Sequence, residues 1–156
     1  MIKFSFLAKS LLAAGSLALS LNAFAIKPFY ATEDGAIKGY DPVAYFVDHK
    51  AVKGEKNLSY VWQETTWYFA SQANLNAFKA EPEKYAPQYG GYCAYGVSFG
   101  YAPSVDPTAY SIVDGKLYLN YSHNVSQKWE KESSKYIDVA NQKWPAVKAG
   151  NVTEKN

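Results

Sequence analysis

The stretch Ala109-Tyr-Ser-Ile-Val-Asp-Gly-Lys-Leu-Tyr-Leu-Asn-Tyr121 carries the strongest local signal in the chain. Ser111-Ile112-Val113 is rich in β-branched residues, and Leu117 and Leu119 alternate with polar or amphipathic neighbours. Between them, Asp114-Gly115 supplies the positive φ values that a two-residue hairpin turn needs. A second hairpin is expected upstream in Leu58-Ser-Tyr-Val-Trp-Gln-Glu-Thr-Thr-Trp-Tyr-Phe-Ala-Ser71, with strands 59–63 and 66–70 meeting at Glu64-Thr65. Tyr60, Trp62, Trp67 and Phe69 would then be cross-strand neighbours.

Outward from the hairpins, Ser71 suits a helix N-cap and Leu75 and Phe78 fall on one helical face, with Pro82 limiting the run. Val43 to Val47, short and rich in β-branched and aromatic residues, is expected to be a strand after a turn at 39–42, with a helical turn as the alternative. Tyr92 to Tyr101 is expected to be a helical turn followed by a strand. A long amphipathic helix is expected over 124–144, because Val125, Trp129, Tyr136, Ile137, Ala140 and Trp144 follow helical spacing and Pro145 stands at its end. The expectation is an α+β fold: one compact domain of two antiparallel hairpins, a short helix and a long C-terminal amphipathic helix.

The first 25 residues are a separate matter. Lys3 and Lys9 precede an apolar run from Leu11 to Leu21, and Ala23-Phe24-Ala25 places small residues where a signal peptidase reads. The 15 residues from Leu11 to Ala25 fall short of the roughly 20 of a membrane span. A cleaved export signal is therefore expected, with no stable membrane anchor. Residues 26–36 read as a leader, 37–147 as the domain and 148–156 as a flexible tail.

Removal of the signal leaves 131 residues in which 14 lysines balance 14 acids. The chain has no arginine, so it lacks the bidentate fork commonly used for phosphates and carboxylates. A neutral surface without guanidinium groups and without a Gly-rich phosphate loop argues against nucleic acid and nucleotide partners. All 14 tyrosines and all four tryptophans lie beyond the signal, where they can fill a core or line a cleft.

Tyr89-Gly-Gly-Tyr-Cys-Ala-Tyr-Gly96 holds the only cysteine. With no partner in the chain, Cys93 is open to four readings: buried apolar filler, metal ligand, nucleophile, or half of an intermolecular disulfide. Thiolate with imidazole from His49 or His123 would suit copper or zinc. As a nucleophile it would need a base, for which His123 is the better placed, and a thiol pKa below the ordinary value. Asp41 and Asp106 each precede a proline, a turn-closing context.

"GYDPVAYF", "WYFASQANLNAFKAEPEKYAPQYGGYCAYG" and "VDGKLYLNY" together resemble the YHS domain family, in particular an exported, stand-alone branch of small bacterial proteins. The resemblance runs from about Ile37 to Trp144. It implies the fold, and it implies association with a metal, since better-known members look like metal-associated modules with cysteine ligands. Ala44 stands here where the wider family has a cysteine, Tyr60-Val61-Trp62 lacks its histidine, and Tyr68-Phe69-Ala70 lacks its next sulfur. The expected function is a periplasmic, non-enzymatic binding protein holding copper, zinc or a small molecule near Tyr40, Asp41, Tyr92 and Cys93. A thiol enzyme using Cys93 and an accessory subunit docking on another envelope protein are the alternatives.

Overall fold

The computed structural model describes residues 25–152. The expected export signal, save Ala25, and the last four residues of the expected tail lie outside the described residues.

Two antiparallel hairpins dominate the strands. β3 (Glu55–Trp62) pairs with β4 (Thr65–Phe69), and β5 (Asp106–Val113) pairs with β6 (Lys116–Asn120). The Asp114-Gly115 turn is formed as expected, with φ of 50° and 72° closing the Val113–Lys116 pair. In the first hairpin the turn falls one residue earlier than expected, on Gln63-Glu64, with φ of 45° and 59°. Thr65 thereby joins the strand opposite Trp62, and Thr65, Trp67 and Phe69 all face inward. Burial of those three outweighs the reluctance of Gln and Glu to adopt positive φ.

Part of the stretch read as a leader is built into the domain. β1 (Ala31–Thr32) pairs with β2 (Gly35–Ala36), and Phe29 is buried against Trp62 and Trp67, with ring centroids 5.2 and 5.0 Å away.

Residues 44–47, expected to be a strand, form the helical turn α1 (Ala44–Val47). The cause is Asp41: its Oδ1 accepts from the N–H of Val43 (2.8 Å) and Ala44 (3.3 Å), an arrangement that bends the chain into a turn. α2 (Gln72–Ala80) starts as expected at Ser71, whose hydroxyl accepts from Asn74 N–H at 3.1 Å, and it buries Leu75 and Phe78. Pro82 then opens the short helix α3 (Pro82–Tyr85). Between Cys93 and Asp106 the chain forms α4 (Ala94–Ser98) and then irregular backbone, so the strand expected before Tyr101 begins only at Asp106.

The long C-terminal helix is two helices. α5 (His123–Glu130) is capped by Ser122, and α6 (Ser133–Lys148) follows a break at which Glu132 has φ −140° and ψ 40°. α5 packs on the second hairpin and places fully buried Trp129 5.2 Å from the ring of Tyr118, whereas α6 lies chiefly on α4. One straight rod cannot serve both surfaces. Pro145 does not end α6; the helix runs on to Lys148. The carbonyl that Pro145 leaves without a donor belongs to exposed Asn141, where water can satisfy it.

β6 divides the interior. Leu117 and Leu119 point into a core built from Phe29, Ile37, Tyr45, Trp67, Phe69 and Phe78. Tyr118 points the other way, into a second cluster with Tyr89, Tyr92, Val97, Trp129 and Ala140. This is the period-two alternation of a strand buried on both faces.

Candidate functional site

Asp41 is fully buried, and its carboxylate is saturated. Besides the two amides of the α1 turn, its Oδ2 accepts from Ala70 N–H at 2.8 Å and from Asn74 Nδ2 at 2.7 Å. One side chain thus joins the turn before α1, the end of β4 and the first turn of α2. With four protein donors, it has the character of a structural tie rather than a ligand. Tyr40 beside it is half-buried, with Lys53 Nζ 5.0 Å from its ring centroid. Tyr92 is buried, its hydroxyl donating to the carbonyl of Lys27 at 3.1 Å.

Cys93 lies at the N-terminus of α4 and is 1% exposed. Its Sγ accepts from Gly96 N–H (3.5 Å) and from Tyr121 N–H (3.2 Å), and the thiol donates to Asn120 Oδ1 (3.6 Å). Asn120 Oδ1 also accepts from Tyr95 N–H at 3.1 Å. Sulfur is thereby the N-cap of α4 and the link between that helix and the end of β6. Burial pushes the thiol pKa up, and the amides of Gly96, Tyr121 and Tyr95 offset this only in part. A thiol held protonated, with an amide and backbone N–H groups as its partners and no base among them, lacks the activation a nucleophilic cysteine requires.

The histidines lie elsewhere. His49 is exposed in the polar loop after α1, at φ 52°. His123 is exposed at the start of α5, and its Nε2 is 2.9 Å from Thr108 Oγ1. Because the Thr108 hydroxyl donates to Asp106 Oδ1 at 2.7 Å, Nε2 of His123 is the donor in that contact. Desolvation works against ionisation of Asp106, yet the hydroxyl and N–H of Thr108, with the charges of His123 and Lys38, hold its carboxyl below the usual range.

Above Cys93 lies an open groove of about 840 Å³. Tyr95, Phe99, Tyr101 and Tyr121 supply its aromatic walls, Val125, Ala102 and Pro103 add aliphatic surface, and Cys93 and Gly96 form part of the lining. Ile26 and Val152, near the two ends of the described chain, complete it. No lining side chain is charged. Gly96 is required for the shape: a Cβ there would lie 2.5 Å from Cδ of Pro103, so any larger residue would push the 101–103 segment away. Phe99 and Tyr121 are 46% and 58% exposed, an unusual state for rings that a core could have absorbed.

Of the candidate site residues read from the sequence, only Cys93 lines this groove; Tyr40, Asp41, Tyr92, His49 and His123 do not. Missed by the sequence reading were Tyr95, Phe99, Tyr101 and Tyr121. Their signal was present as the density of aromatics around 95–101 but was indistinguishable from core-forming sequence.

Residues 43–89 match the family model described as the YHS domain. Over these residues, less than a third of its length, the chain is similar to the YHS domain. The match spans α1 to the turn that follows α3, that is, the Asp41-tied half, and it stops short of Cys93. No curated protein and no solved structure matches the chain.

The metal that the family resemblance implies can be tested against the side chains of this chain. Among the described residues, no three His, Cys, Asp or Glu side chains converge to hold an ion. At Cys93 the sulfur is already faced by two amide N–H donors, a polarity suited to a sulfur acceptor and not to a cation. The donor set does not fit a resident metal.

Proposed function

We propose that this protein is an exported, non-enzymatic binding protein of the periplasm whose groove above Cys93 holds a small, largely apolar molecule. The observation that carries this reading is the groove itself: about 840 Å³, aromatic-walled and free of charged side chains. Small-molecule sites are commonly concave, mostly apolar and roughly 300–1,000 Å³ in size. Export rests on the basic start, apolar run and Ala23-Phe24-Ala25 of the first 25 residues. Recognition is by shape and aromatic contact, with the Cys93 thiol as a soft, polarisable patch on the wall.

The neutral fluorophore N-phenyl-1-naphthylamine tests this directly. The processed chain is expected to bind it saturably, with the emission of an apolar site. The double variant Phe99→Ser, Tyr121→Ser is expected to lose that binding while keeping its near-ultraviolet circular dichroism. Absent binding, or binding unchanged in the double variant, would overturn the proposal. So would stoichiometric uptake of copper(I) or zinc by the reduced protein that disappears in Cys93→Ser, which would restore the metal reading. Recovery of the intact 156-residue chain from the cytoplasm alone would overturn the export claim.

A further inference from the structure

We infer that processing completes the groove: cleavage after Ala25 puts a free α-ammonium on Ile26, a residue of the groove lining, and this charge selects amphiphilic carboxylates. The inference rests on the binding reading above and names the ligand class for the same groove.

Three observations converge. The lining holds no charged side chain, so any fixed charge added to it dominates recognition of a ligand's head group. Ile26 belongs to that lining and is half-buried, and the expected cleavage between Ala25 and Ile26 makes its nitrogen the chain terminus. The segment behind it is pinned. Tyr92 donates its hydroxyl to Lys27 O at 3.1 Å, Tyr30 N–H donates to Gly90 O at 2.8 Å, and Phe29 is buried in the core. The residue that becomes the terminus is therefore held in the groove lining.

The neighbouring cation does not substitute for it. Lys27 lines a different cleft, between the β1–β2 hairpin and β4. An α-amino group titrates near pH 7.7–8.0, so it is largely protonated at neutral pH. Beside low-polarity walls its attraction for a carboxylate exceeds that of a fully solvated pair. Phe99, Tyr121 and Val125 receive the apolar body, and the ammonium receives the head group.

The test compares 11-(dansylamino)undecanoic acid with its neutral methylamide, which shares the same body. Each is titrated against the chain beginning at Ile26 and against that chain preceded by Gly-Ser-Gly-Ser, which carries the ammonium away from the groove. At pH 7 the chain beginning at Ile26 is expected to prefer the acid by about fivefold, the worth of a modest ion pair. That ratio is expected to fall to unity in the extended chain, and to decline in the unextended chain as pH rises through 8. Equal affinity for both probes, or a preference that survives the extension, would overturn the inference while leaving the binding reading intact. Failure of both probes to bind would overturn the two together. Mass spectrometry of the exported chain is expected to show Ile26 at its N-terminus, and a different terminus would also overturn the inference.

Discussion

The two faces of β6 look onto differently built halves. On the Leu117 and Leu119 side, the half that matches the YHS domain is held by an aromatic cluster and by Asp41, whose four acceptor contacts are all filled. On the Tyr118 side, Asn120 Nδ2 and Trp129 Nε1 are buried without a partner, and the groove beside it, whose Cys93 belongs to the Leu117 and Leu119 core, has open aromatic walls. The first half satisfies its polar groups as structural interiors do. The second tolerates unsatisfied donors and exposed rings, the pattern expected where packing yields to recognition.

The contrast is most exposed at Asp41. Asp41→Ala strips acceptors from donors on three elements, two of those donors fully buried, and is expected to lower unfolding free energy by about 3–5 kcal/mol, read as a fall in the urea midpoint. A loss below about 1 kcal/mol would remove the claim that this carboxylate ties the half together.

Alkaline titration probes the same half through Tyr45, whose buried hydroxyl donates to Pro107 O at 2.8 Å. Burial first, then nearby Tyr40, Tyr110, Asp106 and Asp41, push its pKa far above the ordinary tyrosine value. A raised folded-state pKa means the unfolded chain releases the proton first. The stabilisation is intact below about pH 10 and is lost above it, by up to about 1.4 kcal/mol per pH unit. Tyr45→Phe is expected to flatten that slope in urea midpoints measured from pH 9 to 11.5. An unchanged slope would place the alkaline sensitivity elsewhere, with Cys93, whose raised pKa has the same sign, as the next group to remove.

In the groove half the effects on stability are smaller. Cys93→Ser keeps a capping atom but shortens its reach to the amides of Gly96 and Tyr121, and is expected to cost about 1 kcal/mol in urea denaturation. Tyr121→Ser, at an exposed ring, is expected to shift stability by less than about 0.5 kcal/mol while weakening N-phenyl-1-naphthylamine binding severalfold. A large stability loss there would mean that the rim is structural.

How much of this was legible in the sequence follows the range of the forces involved. The Asp114-Gly115 turn and the Ser71 cap are fixed by residues within a few positions of one another, and both formed where expected. The α1 turn was legible only in part. Asp41 stands in a turn-closing context two and three positions before the amides it accepts from, but the β-branched run after it favoured a strand. Nor could helical periodicity show the break at Glu132, because α5 and α6 keep the same spacing while packing on different neighbours. Cys93 stands out in the sequence as a lone thiol, but the partners that decide its character, Asn120 and Tyr121, lie 27 and 28 positions away. The groove was the least legible feature, since sequence alone does not tell a buried aromatic from one left at a rim.

The most direct test of the central claim is a two-dimensional ¹H–¹⁵N correlation spectrum of the processed chain, recorded while N-phenyl-1-naphthylamine is added. The amides of Tyr95, Gly96, Phe99, Tyr101 and Tyr121 are expected to shift along one saturating curve while those of 43–89 stay in place. Shifts confined to 43–89, or no shifts at all, would contradict a binding site above Cys93.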